Sequence, residues 1–322
     1  MLITRARGLS SHLVPREALE ALASAADLPS LAKELATFDL EPPGEPLDLP
    51  ALERAIRRTA GRHLRTLQRW RGDLPDALTL FFAMEDRRSL RALIRGALQG
   101  APLEARLAGL LSTPSLPERA LTELARQPTP QAVIAHLVLL QHPSARRLAA
   151  VATTTDLFAI ESALLAAFAD QARAIREPTL ADFVHASIDL GNAQNALLFS
   201  SGARDVEPVF IDGGAALTRE AFFSVAKAAS RSEALDHLRK GPLSARFPIG
   251  ADDAANVERA FLADTLAQLA RQARREPLGA APVLRFLLRL EAQSRDLRTL
   301  AWGAVLQAPP KLRTHDLVTP WS

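Results

Sequence analysis

The chain of 322 residues has no cysteine, no tyrosine, only 3 tryptophans within 5% aromatic content, and no apolar run of membrane-spanning length. Each absence excludes something. Without cysteine there is no disulfide framework and no thiolate metal site, a composition that fits a reducing compartment. With so few aromatic rings, the cores must be built from leucine and alanine at helical spacing. Apolar stretches such as Ala135 to Leu140 are cut by His136, Gln141 and Pro143, well short of the roughly 18 residues of a membrane helix. The N-terminal MLITRARGLSS is basic but leads into no apolar stretch, so no signal peptide is expected. Any membrane association is expected to come through partners or surface charge.

Lysine is also scarce, being confined to Lys33, Lys227, Lys240 and Lys311. This explains why a formal net charge of only +3 accompanies a pI near 9.9: with no Tyr or Cys, little titrates between neutrality and the arginine range. The pI overstates the basicity. Signatures of chemistry are missing as well. The 7 histidines form no recognised ligand pair. Gly213-Gly214 is followed by Ala215-Ala216-Leu217 with no lysine, so it is no phosphate loop, and no G-x-S-x-G elbow occurs. The expectation is a protein without catalytic, cofactor-binding or metal residues.

What the chain does contain is a threefold internal repeat. Val14-Pro15, Leu116-Pro117 and Leu217-Thr218 open the copies, at offsets of 102 (14 to 116) and 101 (116 to 217). The same offsets bring Ala23, Ala125 and Ala226 into register, then Leu35, Leu137 and Leu238. A second signature follows as Leu52 to Ile56, Ile160 to Leu164 and Val257 to Phe261, with loops of varying length before it, including the Pro-rich Glu41 to Pro46 and Phe247 to Asp253. Periodicity predicts helix nearly throughout, with Pro15 and Pro117 in a first turn and Thr218 as an N-cap. The strand-like Val206 to Asp212 reads as one short extended link. The fold expected is all-α, with repeats over 1–113, 114–214 and 215–322. Such repeats build a shape rather than a cleft.

The third signature closes each copy and places Asp86, Asp189 and Gln293 in register, with Ser89, Asn192 and Asp296 three residues on. Two polar residues at that spacing share one face of an otherwise apolar helix. They are read as structural hydrogen-bonding pairs that fix helix crossing, or as partner contacts. Arg58, Arg62, Arg65 and Arg69 lie on one face of a helix running from Leu52 to Trp70. That basic stripe is open to several readings: a solvated face balanced by neighbouring acids, a dock for an acidic protein, or a contact to lipid head groups or nucleic acid. The small net charge and sparse aromatics speak against nucleic acid.

The segments Ala6 to Ser10, Phe81 to Arg95 (FFAMEDRRSLRALIR), Ile188 to Asn195 (IDLGNAQN), Phe210 to Leu217 (FIDGGAAL) and Leu290 to Arg298 (LEAQSRDLR) together resemble the C subunit of V-type and archaeal-type rotary ATPases, called subunit d in eukaryotes. The resemblance runs through nearly the whole chain. Departures occur where the family often has Asp-x-x-Asn-Leu-Lys and this chain has Asp86 to Arg91, and where Gln293 to Asp296 replaces Glu-x-x-Asn. The resemblance implies three helical bundles arranged as a pseudo-threefold funnel on the cytoplasmic face of the membrane. It implies a non-catalytic rotor part between the central stalk, made of D-class and F-class subunits, and the proteolipid ring. Arg91, Arg95 and Arg298 are then candidate partner contacts beside the stripe. The competing reading is a helical scaffold or adaptor whose basic surface takes an acidic protein or nucleic acid.

Overall fold

A computed structural model describes residues 1–70, 72, 74–200, 207–244 and 254–318. The described residues form 16 helices and no strand. In chain order these are α1 (Leu2–Ser10), α2 (Arg16–Leu22), α3 (Leu28–Leu35), α4 (Leu49–Gln68), α5 (Pro75–Leu98), α6 (Leu103–Leu107), α7 (Glu118–Ala125) and α8 (Pro130–Leu139). There follow α9 (Ala145–Ala149), α10 (Leu157–Ala172), α11 (Pro178–Ser200), α12 (Arg219–Ala226), α13 (Arg231–Lys240), α14 (Ala254–Arg275), α15 (Ala281–Val305) and α16 (Pro310–His315). The protein is all-α. The expected extended link is irregular over 207–211; Val206 and the Phe247 to Asp253 stretch lie outside the described residues.

Each copy of the repeat opens with a hairpin of two short helices, α2–α3, α7–α8 and α12–α13, followed by two long ones. The hairpins start where their caps dictate. Pro15, Pro117 and Thr218 are the N-caps of α2, α7 and α12, so the two prolines sit one position earlier than the first turn predicted for them. In the second helix of each hairpin, Asp27, Thr129 and Ser230 occupy one register position, and each side chain accepts a backbone N–H three residues on. Such a cap contributes about 1 kcal/mol. Helices of seven to ten residues are marginal alone, so the hairpins depend on tertiary burial.

That burial divides the chain into two compact units, one of Met1–Phe81, Leu107–Thr113 and Thr265–Ser322, the other of Phe82–Arg106 and Pro114–Asp264. In the first, the hairpin α2–α3 packs on α15 from the far end of the sequence. Leu19, Leu22, Leu31 and Leu35 meet Leu52, Ile56, Leu297, Leu300 and Ala301 in one core. In the second, α12 and α13 pack on α11, which precedes them in sequence. Ala23, Ala125 and Ala226 are all buried, small enough to let neighbouring helices approach.

Candidate functional site: polar seams between successive repeats

The polar pairs of α5, α11 and α15 share one task. Asp189 on α11 is 1% exposed and accepts three backbone N–H groups, from Ala215 at 3.0 Å, Ala216 at 2.8 Å and Leu217 at 3.0 Å. These residues lead into α12, and Leu217 opens the third copy. On α15, the Gln293 side-chain carbonyl accepts the N–H of Val14 at 2.7 Å, and Val14 opens the first copy. On α5, Asp86 accepts from the hydroxyl of Ser115, the residue before Leu116, which opens the second. Each long helix therefore grips the start of the next copy, and the last grips the first.

The second members of the pairs hold backbone within their own copies: Asn192 exchanges two hydrogen bonds with the backbone of Ile211, at 2.8 and 3.0 Å, and Asp296 accepts the N–H of Val318 at 2.7 Å. Ser89 is buried at the equivalent place. In the first copy Asp86 also holds His142 Nε2 at 3.2 Å, while Ser144 N–H donates to His142 Nδ1. A neutral imidazole that accepts at Nδ1 must carry its proton on Nε2, so His142 donates to Asp86. Sequence reasoning missed His142 because its position has no counterpart in the other copies.

A second set of seams is ionic. Glu53, Glu161 and Glu258 occupy one register position in the second signature. Arg91, Gln194 and Arg298 occupy another on α5, α11 and α15, as do Arg95, Leu198 and Trp302. Glu161, 3% exposed, receives Arg91 Nε at 2.8 Å and Arg95 Nη2 at 2.6 Å. Glu53 receives Trp302 Nε1 at 3.1 Å and Arg298 Nε at 3.4 Å. Glu258 receives Gln194 at 3.3 Å and, across the register, Arg91 Nη1 at 2.7 Å. Again α5 and α11 each reach the following copy, and α15 reaches the first. Arg91 supplies to Glu258 the charge that Gln194 lacks. Burial alone would lower the Arg91 pKa, but Glu161 and Glu258 hold it above the ordinary value. A built Cβ on Gly109, at φ +70°, would land on the Arg298 guanidinium, so that turn needs glycine.

A third recurrence escaped the sequence reading. Gly96 to Arg106 (GALQGAPLEAR) and Gly303 to Arg313 (GAVLQAPPKLR) are in register at an offset of 207 (96 to 303). Both arginines are buried, at 9% and 5% exposure. Arg106 donates to the carbonyls of Ala101, Ala125 and Gln127, and Arg313 to those of Ala308 and Ala25. A Cβ on Gly96 or Gly303 would sit 2.8 or 2.7 Å from the arginine stem. The middle copy has Phe199 and Val209 instead, so two copies alone carried a signal. Both helices end in a left-handed residue, Gly100 at φ +64° and Gln307 at φ +51°, with the next N–H returning to Gly96 or Gly303. Only Gln307 bears a side chain there. Gln307→Gly is expected to raise stability by about 0.5–1 kcal/mol, read as a higher urea midpoint at unchanged slope.

The arginine stripe splits in two. Arg58 binds Glu41 at 3.2 Å and the Pro42 carbonyl at 2.9 Å, and Arg62 binds Asp39 at 3.0 Å. Arg65 and Arg69 are exposed, and the helix ends at Gln68 with Arg69 as its C-cap. Beneath the stripe, buried His63 faces Asp39, Arg62, His12 and Phe286. Desolvation, against the raising effect of Asp39, pulls its pKa below 6.5. The unfolded chain then binds more protons than the folded one on the acid side of that value, so stability falls as pH drops below about 6.5. His63→Gln is expected to flatten this slope in urea titrations between pH 7.5 and 5.5.

Among the described residues no cluster of His, Asp and Glu could hold a metal, and no helix is long and apolar enough to cross a membrane. These are the features of an all-helical protein with a threefold internal repeat, in which polar residues join one copy to the next. The family model described as ATP synthase (C/AC39) subunit matches residues 2–313, and the chain belongs to that family. No curated protein matches the chain.

Proposed function

We propose that this chain is the non-catalytic rotor component of a V/A-type rotary ATPase, a socket that couples the central stalk to the membrane proteolipid ring. The observation that carries the reading is the recurrence of the seams, joined to membership of the ATP synthase (C/AC39) family. A part that transmits torque must resist shear between its own repeats. Buried ionic and backbone seams between successive copies, with the last helix holding the first hairpin, supply that resistance. In this reading the three repeats, taken as 1–113, 114–214 and 215–322, surround a bore that receives the stalk subunits of the D and F classes, and the chain lies on the cytoplasmic face of the membrane.

Of the arginines nominated as partner contacts, Arg91, Arg95 and Arg298 are engaged within the chain, and Arg58 and Arg62 are engaged by Asp39 and Glu41. Arg65 and Arg69 are the positions proposed to meet an acidic face of a neighbouring subunit. The test is co-purification of the tagged chain with stalk subunits and the proteolipid ring from detergent-solubilised membranes. Arg65→Glu with Arg69→Glu is expected to weaken that association about tenfold or more at low salt, with the difference shrinking as salt rises. Circular dichroism of the free variant should not change. Recovery of the wild-type chain with neither stalk nor ring would overturn the proposed role.

A further inference from the structure

The turn between α14 and α15, in the first unit, carries charge of almost one sign. Between Thr265 and Leu290 there are five arginines, Arg271, Arg274, Arg275, Arg285 and Arg289, and a single acid, Glu276. Arg271, Arg274 and Arg275 are exposed at the end of α14, and none of the three is paired with an acid among the described residues. Guanidinium groups at the C-terminus of a helix are favoured by its dipole, so these three suit their own helix. Arg285 does not. It stands in the second turn of α15, near the helix end where positive charge is disfavoured, and the first turn there holds no acid. Burial, and then the charge of Arg274, lower its pKa. The fold loses stability by bringing these cations together, a cost that an anionic partner would offset.

Helix α1 adds to the same surface. Arg7 Nη2 donates to the Pro277 carbonyl at 2.6 Å, in the turn itself. Arg5 lies over the Trp70 ring at 4.8 Å, and Met1 to Ser11 contains no acid. At the tip of the turn, between Pro277 and Gly279, Leu278 is 81% exposed. A lone exposed leucine is ordinary on a protein surface; one held at a helix turn and bordered by arginines is an apolar point inside a cationic collar. The equivalent turn of the second copy, α10 to α11, lacks this character. There Arg173 is bound to Asp170 at 3.0 Å, and Arg176 donates to the carbonyls of Arg173 and Ile175.

We propose that the α14–α15 turn docks on an anionic membrane surface, with Leu278 entering the interfacial layer and Arg7, Arg274 and Arg275 meeting the anionic groups of the lipid heads. An acidic protein face would satisfy the arginines but gives Leu278 no apolar medium. A lipid interface supplies both. One leucine and a few cations make a weak, reversible contact that salt loosens. The contact rests on the surface of the first unit and does not require the rotor role.

The test is flotation of the full chain with phosphatidylcholine vesicles made with and without about 30% phosphatidylserine, over about 0.05 to 0.5 M salt. Wild type is expected to float with the anionic vesicles at low salt, to leave them as salt rises, and to stay behind with neutral ones. Arg274→Gln with Arg275→Gln should weaken the binding at least about tenfold, and Leu278→Ser at least about fivefold. All three side chains are exposed, so the far-ultraviolet dichroism of these variants should match wild type. Arg173→Gln with Arg176→Gln removes the same charge at the equivalent turn and should leave binding unaltered. No binding to anionic vesicles, full binding by Leu278→Ser or by the Arg274 and Arg275 variant, or an equal loss in the α10–α11 variant overturns the proposal. Capture of a poly-glutamate peptide in place of the vesicles also overturns it and assigns these arginines to an acidic protein.

Discussion

Asp189→Ala should be among the most destabilising single substitutions in this chain, with an expected loss of about 3 kcal/mol or more. The carboxylate accepts three consecutive N–H groups at 2.8–3.0 Å in the turn before α12. Hydrogen bonds to a charged group contribute about 1.5–3 kcal/mol each, and the N–H groups stranded by the alanine regain water only in part. Asp189→Asn keeps one acceptor oxygen and should cost roughly half as much. The two effects are read as shifts of the urea midpoint, with far-ultraviolet dichroism as the probe. Gly214 provides an internal check, because a Cβ there would collide with the Asp189 carboxylate. Gly214→Ala should therefore be costly in the wild type and much cheaper beside Asp189→Ala, a coupling that a double-mutant cycle isolates. Additive costs, or a loss below about 1 kcal/mol for Asp189→Ala, would show that the turn is held by its packing instead.

Much of this arrangement is legible in the amino-acid order, because a repeat states the same requirement three times. The register of Asp86, Asp189 and Gln293 marks a polar position inside apolar helices, and the structure gives that position a single purpose at the three hairpin starts. The all-α fold follows from the 3.6-residue periodicity for the same reason. What the order of residues hides is reach. Glu53, Glu161 and Glu258 align visibly, yet nothing in a linear chain says that Arg298 crosses 245 positions to meet Glu53. Arg91, Arg95 and Arg298 accordingly look like surface charge when they are read one helix at a time. Features present in fewer than three copies fade further. The buried Arg106 and Arg313 lack a counterpart at Val209, and His142 has none at all.

Glu161→Ala is the second large effect, expected to cost about 3–5 kcal/mol. The residue is 3% exposed and neutralises two guanidinium groups at 2.8 and 2.6 Å. Among the described residues, its removal leaves Arg91 bound to Glu258 alone, beside an Arg87 whose Nε and Nη2 already lack acceptors. The cost is thus chiefly that of buried, uncompensated positive charge rather than of a lost attraction. Two further variants separate these terms. Glu161→Gln keeps the shape and an acceptor oxygen but no charge, and should recover only a minor part of the loss. Arg91→Met in the Glu161→Ala background removes one of the two cations that Glu161 neutralised, the one whose charge also acts on Arg87, and should restore at least about 1 kcal/mol. If Arg91→Met instead adds its full cost to that of Glu161→Ala, the two residues do not act as a pair. The equivalent Glu53→Ala should be milder, because Arg298 stands farther off at 3.4 Å and the exposed Trp302 donor can turn to water. The order Glu161 above Glu53 tests whether seams that share a register position differ in strength as their partners do.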